Sequence, residues 1–414
     1  MIINNTELTS KLLLDLLAEA DVCRNFNLSI NLFNELEWRD FRYVPAFDDF
    51  HGLERAELLL LAGKFLLYYS KAVNLGLEDV GQEVLGQAQR IFQRFGMSEK
   101  IIECEIYLAV VYLHRGALDE YEVVLSELEC KTSEKPDYLY LLVQSNLLTL
   151  ELTVGRNEDA LQRIYRAQPW ITFVKDVKTK ISFLTQAGLI LRNNGKIAEG
   201  LKFLAQSYDL AKSLNNKNYQ AMILNCQANT YRVGKDYANA ELKITAAISQ
   251  LPFDNRGWLG HFLDTQANIY LDQNRLEEAV IFIEDALAHF RDGTDYLGLV
   301  ESLWTYIQIQ IKTQYPLEAL TLFLELNETA GNFISQKYAF SYRKKFANLI
   351  SFEIEGNIYD KVRHYKKNLL VRELETAVKK IEIAKKLGIS FPSLYKMLKH
   401  EFPELWQEYY GAAD

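Results

Sequence analysis

The chain has 414 residues, 49% of them hydrophobic, with only 7 Pro and 20 Gly; that is enough for a large core and excludes a largely disordered chain. The formal charge of −9 is uneven: residues 361–414 hold eleven Lys/Arg against seven Asp/Glu, a net of +4, so the rest carries −13. An acidic body with a basic tail is the distribution of a DNA reader attached to a larger domain that does not itself bind DNA.

Residues 6–45 read as helical and end at Pro45, and residues 1–50 are expected to form a helical cap over the first repeat of the chain's body. From residue 51 to 333 the chain repeats. A slot, usually small, recurs at Gly81, Tyr121, Ala160, Gly200, Ala240, Ala279 and Ala319, with spacings of 39 or 40 residues. Four residues after each slot stands a large apolar residue: Leu85, Leu125, Ile164, Leu204, Ile244, Ile283 and Phe323. Five residues before it lies a turn position: Gly76, Gly116, Gly155, Gly195, Lys235, Asn274 and Gln314. Each unit predicts a helix–turn–helix hairpin that cannot bury its apolar face alone, so the stack itself is the core.

Twelve residues before the slot the first helix carries a small residue of its own, at Ala109, Gly188, Ala228 and Ala267, and Tyr follows at Tyr112, Tyr231 and Tyr270. This spacing resembles the tetratricopeptide repeat over roughly residues 55–330, with a period near 40 where the family's is about 34. The resemblance implies an all-α, right-handed α-solenoid of about seven helix hairpins, its first helices lining a concave groove. It also implies that the groove binds a peptide or protein partner. Carried over position by position, the groove face holds Arg192, Asn193, Asn225, Asn229, Arg232, Asp264, Asn268, Asp272, Trp304 and Gln308. Asn on successive first helices suits this, because one amide both donates to and accepts from a peptide backbone.

Residues 334–370 read as a degenerate repeat and connecting helix, with a turn at Gly356-Asn357 and no Pro/Ser/Gly-rich linker, which predicts a docked terminal module. That module, 371–414, centres on KIEIAKKLGISFPSLYKMLK. Ile383, Ala384 and Leu387 give one helix an apolar face, Gly388 ends it, Ser390 is a good N-cap, and Leu394, Met397 and Leu398 form the inner face of the next helix. The pattern resembles the Fis-type helix-turn-helix of bacterial transcription regulators. That resemblance implies DNA binding, with Ser390, Phe391, Ser393, Tyr395, Lys396 and Lys399 on the recognition face. Lys379, Lys380, Lys385 and Lys386 would stand near the phosphates, and a homodimer on a palindromic site is expected. Phe402, Leu405, Trp406, Tyr409 and Tyr410 would cover the module's open face or meet a protein partner. The whole combination resembles bacterial regulators in which a tetratricopeptide domain binds a short peptide and controls a helix-turn-helix, although theirs stands at the N-terminus. A scaffold whose terminal hairpin is only a cap is the competing expectation.

Chemistry is not signalled. Cys23, Cys104, Cys130 and Cys226 lack CxxC spacing and read as reduced thiols. The six histidines show no metal spacing, and no GxxxxGK(S/T), GxGxxG or GxSxG occurs, so no enzyme, cofactor or metal is expected. The opening MIINNTELTSKLLL lacks a basic n-region, and the longest apolar run, 58–69, is interrupted by Gly63 and Lys64. A cytoplasmic chain with no membrane segment is expected.

Overall fold

The structure, a computed structural model, describes residues 5–73, 75–133, 137–251, 256–353, 367, 370–371, 374, 383–384 and 390–410. Among these the chain is all-helical. Two helices come first, α1 (Asn5–Cys23) and α2 (Phe26–Glu35). Hairpins come next, in order: α3 (Gly52–Val73) with α4 (Glu78–Arg94), α5 (Ser98–His114) with α6 (Leu118–Thr132), and α7 (Tyr138–Val154) with α8 (Asn157–Ala167). Then come α9 (Val177–Asn193) with α10 (Ile197–Ser213), α11 (Lys217–Val233) with α12 (Tyr237–Gln250), and α13 (Arg256–Asp272) with α14 (Leu276–Arg291). The series ends with α15 (Tyr296–Lys312), α16 (Pro316–Phe333) and α17 (Gln336–Glu353). Successive helices pack as sequential neighbours, the contact pattern of an α-solenoid.

The slots explain the pairing. Ala160, Ala240, Ala279 and Ala319 are fully buried, and at Gly200 an added Cβ would stand 2.7 Å from the Gly188 carbonyl, so α9 and α10 touch backbone to backbone. Leu85, Leu125, Ile164, Leu204, Ile244 and Ile283 fill the grooves between helices and are buried. Phe323 departs from that column. It is half-buried and stacks on Phe346 at 3.9 Å, while Leu322 and Leu326 take the buried places in α16. All seven turn positions have left-handed φ, between 60° and 80°, including the non-glycines Lys235, Asn274 and Gln314. Side-chain caps start several helices: Asp137 for α7, Asp176 for α9, Asn216 for α11, Asp236 for α12 and Asp295 for α15.

The stack closes on itself. After five hairpins, α13 meets α3, where the Gly257 backbone lies against the Lys71 carbonyl and Lys71 pairs with Asp295 at 3.1 Å. One continuous core then joins Ile106, Leu125 and Leu147 to Leu303, Leu326 and Phe346, so the second turn of the superhelix sits on the first.

The first fifty residues do two things. Phe33, Trp38, Phe47 and Phe50 build an aromatic cluster with Phe65 on α3, covering the first hairpin. Helix α1 instead reaches across the inside of the coil to α9 and α11. Asp21 pairs with Lys178, and the Asn216 and Asn218 amides donate to the carbonyls of Val22 and Arg24 at 3.2 and 2.9 Å. The connecting residues 354–366, with the Gly356-Asn357 turn, lie outside the described residues.

Near the end, a short helix, Phe391–Lys396, runs into a π-helical turn, Met397–Glu401, and is succeeded by a helix over Pro403–Tyr410. Ile383, Ala384, Leu394, Leu398, Phe402 and Leu405 share a small separate core with Leu370 and Leu374. Trp406 and Tyr409 pack against it, so this part of the tail covers the module. The expected second helix continues past Lys396, but as a π-helical turn. The Phe402 N–H bonds the Met397 carbonyl at 3.1 Å, and that wider turn places Phe402 fully inside the core.

Candidate functional site

The first helices of six hairpins, α3, α5, α7, α9, α11 and α13, together with α1, line a cavity of about 690 Å³ along the axis of the coil. Its wall tracks a column of the repeat. Glu103, Leu142, Ser182 and Met222 stand eighteen residues before their slots, and Tyr107, Asn146 and Gln186 stand fourteen before theirs. These positions lie on one face of each first helix, four residues apart.

The wall is amphipathic. Leu60, Val110, Ile181 and Ile223 give it apolar surface, and Tyr68, Tyr138, Tyr219 and Trp258 give it rings. Its carboxylates are mostly engaged. Lys64 bonds Glu103, Lys100 bonds Glu57 at 2.9 Å and Glu103 at 3.4 Å, and Lys178 bonds Asp21. Burial works to raise the Glu103 carboxyl, but Lys64 and Lys100 outweigh it and hold the group below the usual range. Asp21 behaves likewise: Lys178, Lys64 and Arg24 override burial. Asp176 is spent on the Thr179 N–H at 2.7 Å.

Arg24 is different. Its guanidinium lies 3.4 Å from the centre of the Tyr68 ring and 4.4 Å from that of Tyr219, and its Nη2 donates to the Tyr219 hydroxyl at 2.6 Å. Among the described residues no carboxylate is within ion-pair distance of it. Nearby, the Nδ1 of His114 is buried without a hydrogen-bond partner, as is the Oε1 of Gln186. Burial, with Lys71 and Arg24 adding repulsion, pushes the His114 ring down to about 3, so the imidazole is neutral.

None of the ten residues assigned to the groove by resemblance lines this cavity. They sit farther along, on α9, α11, α13 and α15, and largely satisfy one another. Arg232 bonds Asn229 at 3.0 Å and Asp272 at 2.7 Å, tying α11 to α13. Asn268 donates to the Asp264 carboxylate at 3.1 Å and to Thr305 at 2.9 Å, and burial raises the Asp264 carboxyl. Arg192 bonds its neighbour Asn193 at 2.9 Å, Gln308 donates to the Trp304 carbonyl at 3.3 Å, and Trp304 meets Tyr342 edge to face. Asn225 has a buried, unpaired Oδ1. Sequence reading missed Arg24, Lys71, His114 and Tyr219. The column eighteen and fourteen residues before each slot would have exposed the wall, but nothing local places α1 inside the coil.

On the terminal module, Ser390 Oγ accepts from the Ser393 N–H at 3.2 Å and caps the helix. Ser390, Ser393, Tyr395, Lys396 and Lys399 are exposed together. Tyr395 is fixed edge to face on Trp406 at 4.9 Å, and Lys399 donates to its hydroxyl at 3.3 Å. Phe391 begins the helix, but its side chain lies outside the described residues, as do Lys379, Lys380, Lys385 and Lys386.

No described helix is long and apolar enough to cross a membrane, and no described cluster of His, Cys, Asp or Glu could hold a metal. No family model matches the chain, and a search of curated proteins returns no match.

Proposed function

We propose that the chain is a DNA-binding transcription regulator. The solenoid senses a ligand, and the terminal module, a helix-turn-helix in this reading, delivers the response. The observation that carries this is the exposed set Ser390, Ser393, Tyr395, Lys396 and Lys399 over a core separate from the solenoid's, in a stretch with net positive charge on an acidic chain. The Ser390 cap and the buried Ile383, Ala384, Leu394 and Leu398 are what two crossing helices at that position require. Lys396 and Lys399 contact phosphate or guanine, and Ser393 and Tyr395 reach phosphates or base edges. The test is retention of genomic DNA fragments by the full chain at low salt; no retention removes the reading.

A second reading, a scaffold for protein assembly, draws on one feature. Leu242 and Ile281, each two residues after a slot on neighbouring second helices, are 64% and 59% exposed. Under it, Leu242→Ser with Ile281→Ser abolishes self-association in sedimentation runs, while DNA retention is absent from the outset.

A further inference from the structure

Arg24 is a half-enclosed cation that Asp21 attracts but that no described carboxylate bonds. Four lysines around the cavity wall find carboxylates: Lys64, Lys71, Lys100 and Lys178 each have one within 4 Å. Arg24 instead has two tyrosine rings and one tyrosine hydroxyl, which occupy one of its five N–H donors. Its remaining fork fits the two oxygens of a carboxylate, and a guanidinium held on aromatic faces is pre-organised for that geometry. Lys71 flanks the same region beside Trp258, and the unpaired Nδ1 of a neutral His114 can donate to an anion. Gln186 Oε1 adds an acceptor in want of a donor. Elsewhere the wall mixes aliphatic and aromatic surface with ion-paired and hydroxyl side chains, and about 690 Å³ is the size of a small-molecule site. With α1 lying inside the closed coil, a folded partner has no room.

We propose that the cavity between α1 and the wall of first helices binds a small organic anion, a carboxylate on an apolar body, with Arg24 as its anion-recognising group. This deepens the reading of the solenoid as a sensor and rests on it for biological sense, but its chemistry stands apart from DNA binding. Since Arg24 also holds α1 to α11 through Tyr219, the ligand's charge acts on a contact that joins the N-terminal helix to the far wall.

The experiment uses the full chain and one scaffold with three head groups: 4-phenylbutyrate, 4-phenylbutanol and 4-phenylbutylamine, titrated by calorimetry. The acid is expected to bind at least about tenfold more tightly than the alcohol and the amine. Arg24→Gln is expected to lose about tenfold toward the acid and to leave the alcohol unchanged, and Arg24→Lys to lose less. Met222→Trp, which narrows the cavity without replacing Arg24, is expected to weaken binding of the acid and keeps the test decisive if Arg24→Gln loosens the fold. Equal binding of the three compounds, acid binding unchanged by Met222→Trp, or no binding of the acid up to about 1 mM overturns the proposal. Failure here with DNA retained leaves the regulator reading standing. Arg24-dependent binding without DNA retention leaves this site standing and removes that reading.

Discussion

Gly257 lies so close to Lys71 that a Cβ at residue 257 would stand 2.0 Å from the Lys71 carbonyl oxygen. This contact is the seam at which α13 meets α3 and the coil becomes a closed ring around its cavity. No side chain larger than hydrogen fits without moving one turn of the superhelix off the other.

Gly257→Ala is therefore expected to destabilise the chain by about 1–3 kcal/mol. Gly86→Ala is the control. Its Cβ would meet only the end of Arg90 at 3.6 Å, and alanine in a helix interior gains about 0.5–1 kcal/mol over glycine. Urea denaturation of the two variants checks both signs, and equal behaviour would show that the seam contributes nothing.

The turns offer a gain. Lys235 and Gln314 hold φ of 61° and 64° where earlier hairpins use glycine. Left-handed backbone costs an ordinary residue about 1 kcal/mol, so Lys235→Gly and Gln314→Gly are expected to be neutral to stabilising, by up to about 1 kcal/mol each. Ala at the same positions gains nothing, and thermal melts of the four variants separate the outcomes.

His114 supplies a pH dependence with a definite sign. Its folded value lies near 3, below the ordinary 6.5, so between these limits the unfolded chain binds the extra proton and the folded chain does not. Stability contributed at this position is constant above pH 6.5 and falls as pH drops toward 3, by at most about 1.4 kcal/mol per pH unit. His114→Gln removes the effect. Urea curves at pH 7, 6, 5 and 4 should show wild type and variant diverging on acidification; parallel curves would contradict the burial of a neutral imidazole.

Also on the cavity wall, Asp21→Asn leaves Lys178 half-enclosed without its carboxylate. Amides of α1 are expected to exchange faster with deuterium while those of α9 and α10 keep their protection. Uniform loosening across the solenoid would contradict a local staple.

The repeating features were the legible part of the sequence. The slot column, the turn column and the Ser390 cap depend on local backbone demands, and a residue type satisfies those alone. The closure at Gly257 depends on the small rotation accumulated over five hairpins, and no residue type reports it. The position of α1 was hidden for a related reason: Leu17 and Ala20 mark an apolar face, but not which wall that face meets. Groove positions carried over onto the later hairpins fell on Asn229, Asn268 and their neighbours, beyond the cavity, whereas the same offsets on α5, α7 and α9 give Val110, His114, Thr149 and Thr185, which line it. The π-helical turn after Lys396 is set by the burial of Phe402, a tertiary demand the helical spacing of Leu394, Met397 and Leu398 does not contain.

The claim that the terminal module reads DNA is tested most directly by the slope of log affinity against log salt, for the full chain and for Lys396→Ala with Lys399→Ala. Phosphate contacts predict a steep fall for the wild type and a slope shallower by about one for each lysine removed. A slope unchanged by the double substitution, or no measurable binding at low salt, would contradict it.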